Sequence, residues 1–81
     1  MSKCYKEYLK KQYENPNAII LMQIGEFLVA YGITAKIVAD LLDLTLTMKL
    51  CEKQKIYMVG FPIKNSEYLE KINNLYKVLI F

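Results

Sequence analysis

Apolar and polar positions change period several times along the 81-residue chain, and each change predicts an element. Tyr5, Tyr8, Leu9 and Tyr13 recur at helical spacing and form one apolar stripe. Ser2 is placed to cap that helix, and Asn15-Pro16 ends it, because proline disfavours helical geometry in the residue before it. Lys3, Lys6, Lys10 and Lys11 fall mainly off the stripe, on the side facing water. Ala18-Ile19-Ile20-Leu21-Met22-Gln23-Ile24 is apolar on both alternating faces, which suits a strand inside a sheet. Gly25 breaks it. Residues 26–32 read as extended chain or as a helix start, and the flanking Gly25 and Gly32 favour a bent, extended connection.

Thr34 is positioned to cap a short helix with Ala35, Val38, Leu41 and Leu42 inward and a Lys36–Asp40 pair outside. From Leu44 the period becomes two. Leu44, Leu46, Met48 and Leu50 would share a dry face, with Thr45, Thr47 and Lys49 opposite. A polar tip, Glu52-Lys53-Gln54, returns into Lys55-Ile56-Tyr57-Met58-Val59, predicting a hairpin that Gly60-Phe61-Pro62 ends. Asn65 or Ser66 caps a last helix with Tyr68, Leu69, Ile72 and Leu75 inward and a Glu67–Lys71 pair outward. Asn74 breaks it, and Lys77-Val78-Leu79-Ile80-Phe81 closes as a strand. The expected fold is α+β, a small mixed sheet with about three helices in the order helix, strand, helix, hairpin, helix, strand. A single domain is expected over residues 1–81; the chain stops inside an apolar strand, so either Phe81 docks in the sheet or the domain once continued.

Composition then narrows the chemistry. The chain has no His, which removes Ser-His-Asp and Cys-His catalysis within it. Cys4 and Cys51 stand far apart without companions and do not form a zinc-ligand pattern; both are read as reduced, structural thiols. No metal or cofactor is expected. The formal charge is +3, and all 11 basic residues are Lys. Without Arg, the preferred fork for guanine, base-specific major-groove reading is disfavoured. No apolar run is long enough to cross a membrane, so no membrane partner and a cytoplasmic location are expected.

Four segments in register resemble the MutS mismatch-recognition domain, domain I of that family. They are Tyr8-Leu9-Lys10-Lys11…Asn15-Pro16 with Ile20-Leu21-Met22-Gln23-Ile24-Gly25-Glu26-Phe27, then Leu41-Leu42-Asp43-Leu44-Thr45-Leu46-Thr47, then Tyr57-Met58-Val59-Gly60-Phe61-Pro62, and finally Glu67-Tyr68-Leu69-Glu70-Lys71-Ile72. The resemblance implies a mismatched-DNA-binding role in repair and a domain over residues 1–81 that is trimmed at its C-terminal end, since the family's last strand continues further. The family's phenylalanine wedges against a mispaired base from the minor groove, and a glutamate two positions on hydrogen-bonds that base. Here the wedge position is Phe27, the glutamate position is Val29 and the residue between is Leu28; Gln23 stands where the family has an arginine. Lys36 and Lys49 match basic positions and are candidate phosphate contacts, while Glu26 reads as a turn residue.

The altered motif leaves two readings of Phe27. It is an exposed wedge, or it has joined the core; the apolar run Phe-Leu-Val-Ala-Tyr favours burial or a protein interface. The function expected is therefore weak binding of duplex or mismatched DNA by a stand-alone module. No ATPase is expected, since no G-x-x-x-x-G-K-[ST] occurs in the chain. The alternative is a protein-interaction or oligomerising module that kept the fold and lost DNA reading, with a homodimer or a larger repair or recombination protein as partner. With no nucleophile–base spacing, an enzyme is not expected.

Overall fold

The computed structural model describes residues 3–51 and 53–81. The expected Ser2 cap, Glu52 at the hairpin tip and the side chains of Cys4 and Cys51 lie outside the described residues. The elements are α1 (Lys3–Glu14), β1 (Ala18–Ile24), β2 (Phe27–Tyr31), α2 (Gly32–Leu42), β3 (Thr47–Cys51), β4 (Gln54–Pro62), α3 (Ser66–Leu75) and β5 (Lys77–Ile80). The strands make one sheet in the order β3-β4-β2-β1-β5. All neighbours are antiparallel except β1 and β5, which run parallel with Ala18 opposite Lys77.

The α+β class and mixed sheet stand as expected, with one strand more. Residues 27–31, read as a connection, form β2, the middle strand of the sheet. Gly25 at φ 60 occupies the first central position of the two-residue turn joining Ile24 to Phe27. A positive φ there suits a type II′ turn, whose twist matches that of a hairpin. Gly60-Phe61-Pro62 does not end β4 but continues it, pairing with β2 as far as Phe27 opposite Pro62. Proline is tolerated there because β3 pairs with β4 only as far as Met58, so beside Pro62 that edge is open and the missing N–H costs no ladder bond on it.

Two cores flank the sheet. On one face Leu21, Leu28, Ala30, Val59 and Phe61 pack under α2 and α3, against Val38, Leu42 and Ile72. On the other, Ile20, Met22, Val29, Tyr31 and Ile56 pack with Tyr8 of α1. Fully burying each of the larger side chains contributes roughly 1.5–3 kcal/mol before chain entropy is subtracted. α1 is fixed by a buried polar network. The Thr34 hydroxyl donates to Gln12 Oε1 at 2.9 Å, so its oxygen accepts from the Tyr8 hydroxyl at 3.2 Å. Gln12 Nε2 donates in turn to the carbonyl oxygens of Asn15 (2.9 Å) and Ala18 (3.0 Å). Thr34 is thus no helix cap; it lies inside α2, whose N-terminus has no side-chain cap bond.

Three inward assignments fail, those of Met48 and Leu50 on β3 and of Leu75 at the end of α3. Leu44 and Leu46 pack on the core, but β3 starts only at Thr47, and Met48 and Leu50 are exposed, the latter at 68 %. β3 is an edge strand, and its apolar face runs past the end of α2. Leu75, at the last turn of α3, is exposed although Ile72 is fully buried. α3 begins as expected, with Asn65 Oδ1 accepting from the Tyr68 N–H. α2 ends at Asp43 in left-handed geometry (φ 54), with the Leu44 N–H reaching back to the Ala39 carbonyl oxygen at 2.8 Å.

Candidate nucleic-acid interface

The β1–β2 hairpin places Phe27 at the end of β2, directly after the Gly25-Glu26 turn. Side chains alternate along a strand, so Phe27, Val29 and Tyr31 share the face that α1 covers. The coverage is partial. Tyr5 and Tyr8 of α1 pack their rings on Tyr31, with centroids 5.5 and 5.4 Å away, at the opposite end of β2 from the turn. Phe27 lies beyond that cover and is 51 % exposed, which corrects the expectation that it joins the core. Leu28, Val29, Ala30 and Tyr31 are buried, so this run offers a partner only its first residue.

The register sets what surrounds Phe27. Ile24 is directly opposite on β1 and Pro62 on β4, and both are exposed. Phe81 hydrogen-bonds on either side of Met22, through its N–H to Leu21 and its carbonyl to the Gln23 N–H, and the Lys11 ammonium lies 4.7 Å from its ring centroid. The Ile63 N–H donates to the Glu26 carbonyl oxygen at 2.8 Å, tying the β4–α3 connection, with Lys64 in it, to the hairpin turn. Glu26 is a turn residue, as expected. Val29 lies within van der Waals reach of Gly60, 3.4 Å from where a Cβ would stand. The result is an exposed apolar rim, Ile24–Phe27–Pro62.

The other candidate residues do not gather here. Lys49 pairs with Ile56, six positions back along β4 from Pro62, or about 20 Å at the usual rise. It shares the sheet face of Phe27, since Ile56 belongs to the α1-side core. Lys36 is on α2, across the sheet, and its ammonium sits 4.4 Å from the Tyr57 centroid, so the cation contacts a ring where Asp40 was expected. Lys11 and Lys64 were not singled out by sequence reasoning. The pairing of Phe81 with β1 sets Lys11 against the Phe81 ring, and the Ile63–Glu26 bond ties the segment that carries Lys64 to the hairpin turn. Among the described residues no group of three or more His, Cys, Asp or Glu could hold a metal ion. No described helix is long and apolar enough to cross a membrane.

Fold and site together define a small α+β domain that presents an aromatic ring on a hairpin rim of a mixed five-stranded sheet. The chain belongs to the MutS domain I family, whose model matches residues 1–81. It is 37 % identical over 68 residues to the DNA mismatch repair protein MutS of Chloroflexus aurantiacus, which covers 72 % of this chain and 7 % of that protein. Identity is 38 % over 65 residues to the DNA mismatch repair protein MutS 2 of Haloarcula marismortui, covering 79 % and 7 %. It is 33 % over 78 residues to MutS of Thermodesulfovibrio yellowstonii, covering 93 % and 9 %. The chain thus spans less than a tenth of the length of these relatives.

Proposed function

We propose that this domain binds duplex DNA at mispaired or distorted steps, with Phe27 as an apolar wedge and no ATPase of its own. The observation that carries the reading is the half-exposed Phe27 ring, held beside a hydrogen-bonded II′ turn. An apolar side chain entering from the minor groove must unstack a base step at a cost of a few kcal/mol. The cost is least where pairing is already damaged, and that difference is the source of selectivity. Val29 supplies no acceptor, so the wedge acts without a polar partner for the base.

Backbone contacts fall to Lys49, on the sheet face of Phe27, and to Lys64, in the connection hydrogen-bonded to the hairpin turn. Lys49 and Lys64 are the candidates for phosphate, whereas Lys36, across the sheet, adds only to the general field. With few phosphates neutralised, log K falls with log salt by only about 0.9 per contact, giving a shallow slope. The proposal is tested by anisotropy of labelled homoduplex and single-mismatch duplex at low salt. The mismatch duplex binds more tightly and Phe27→Ala weakens it at least tenfold. Equal behaviour of Phe27→Ala and the parent protein removes the wedge.

A further inference from the structure

The tyrosine stripe of α1 is broader than the core it serves. Tyr8 is buried, but Leu9 is exposed and Tyr13 is 88 % exposed. Facing them from α2 is Ile33, also strongly exposed, with Tyr76 at the end of α3. Between these side chains runs an open groove of about 620 Å³, floored by Ala18 and Ile19 at the start of β1. Phe27 is at the other end of the hairpin, opposite Ile24, about 20 Å away along β1. The groove is therefore a second apolar surface, separate from the rim around Phe27.

We propose that this groove is the contact surface of a homodimer, in which α1 packs antiparallel on α1 of a second copy and each Tyr13 enters the partner's groove. One face carries both a protruding ring and an apolar hollow, the self-complementarity that a two-fold interface requires. Charge along α1 selects the antiparallel direction. Lys6, Lys10 and Glu14 recur every four residues, a row beside Leu9 and Tyr13. α1 has no acid in its first turn and ends on Glu14, so Lys6 and Glu14 oppose its dipole while Lys11, in the last turn, favours it. Across a two-fold axis through Lys10, Lys6 faces Glu14 of the partner subunit and Glu14 faces the partner's Lys6. Two ion pairs form at the cost of one Lys10–Lys10 approach. A chain of this length buries a modest fraction of its surface alone, and covering the groove adds to it.

Sedimentation velocity of the full chain from about 1 µM to about 1 mM is the test, since that range spans the affinities expected for a weak dimer. The sedimentation coefficient rises with concentration from monomer to dimer. Tyr13→Ser, at a site too exposed to disturb folding, weakens association at least tenfold, and Lys10→Gln strengthens it. Lys6→Glu and Glu14→Lys each weaken association, and the double variant Lys6→Glu/Glu14→Lys restores it, with circular dichroism verifying that α1 is intact. Phe27→Ala dimerises like the parent, so failure of the DNA proposal and failure of this one are separable. A monomer at every concentration overturns the inference, as does a double charge swap that fails to restore what the single changes removed.

Discussion

Val29 and Phe27 stand two residues apart on one face of β2, yet the valine is 6 % exposed and the phenylalanine 51 %. The boundary of the core runs between them. Val29 packs with Ile20, Met22 and Tyr31, against the backbone of Gly60, while Phe27 lies outside. Val29 is thus a core residue, and Phe27 is not.

A carboxylate at position 29 is therefore expected to destabilise the protein. Val29→Glu puts an acid into an apolar cluster, at a cost of about 1–3 kcal/mol when protonated and more when ionised. Burial would raise that carboxyl above the unfolded value of about 4.3, so the folded state holds its proton longer and stability falls as pH rises. Urea unfolding should show a larger deficit at pH 7 than at pH 4. An equal deficit at both would mean that the side chain escapes to water.

The hydroxyl of Thr34 links α2 to α1 through Tyr8 and Gln12. Thr34→Val strands two buried partners and is expected to cost about 1–3 kcal/mol, whereas Tyr8→Phe removes one donor and costs about 1 kcal/mol. Denaturant midpoints at constant m-value measure both. The reverse order would show that water replaces Thr34.

Burial holds the Tyr8 hydroxyl above its ordinary value of 10.0. Below that pH both folded and unfolded chains keep the proton, and the shift contributes no pH dependence. Above it the unfolded chain loses the proton first, the folded chain binds more, and stability falls as pH rises toward the folded value. Melting temperatures taken between pH 9 and pH 11 should fall less steeply in Tyr8→Phe than in the parent.

Two residues on α3 with the same expected orientation should behave oppositely. Ile72→Ala opens a cavity beneath the sheet and is expected to cost about 2–4 kcal/mol. Leu75→Ala, at an exposed site, should stay within about 0.5 kcal/mol of the parent. Chemical denaturation of both variants gives the comparison.

Gly25 has nothing within 4 Å of an added Cβ, so Gly25→Ala tests conformation alone. At φ 60 the substitution is expected to cost about 1 kcal/mol. It should also weaken mismatch-duplex binding if that turn sets the position of Phe27. Unchanged stability and binding would mean the turn relaxes without moving the ring.

How much of this was legible in the chain depended on whether a pattern is local. The helices and β1 follow from spacing and turn residues near them in sequence. β2 was hidden because its last four residues are buried whichever face they point to, so no alternation marks it. β3 shows the converse, with alternation through Leu44–Leu46–Met48–Leu50 but cover for only the first two. The site was half-legible. Phe27 and Val29 follow from motif register, but their opposite exposure depends on where α1 crosses the sheet. Likewise, the separation of Lys36 from Lys49 depends on strand order, which no local window contains.

The parallel pairing of β5 with β1 joins segments roughly sixty positions apart. During synthesis at about 5–20 residues per second, β1 leaves the ribosome several seconds before its partner exists. Through that interval the backbone of Ala18–Ile24 has an open side, in the most apolar stretch of the protein. Yield in the cell should thus be governed by nascent-chain protection of this strand as much as by the stability of the finished domain.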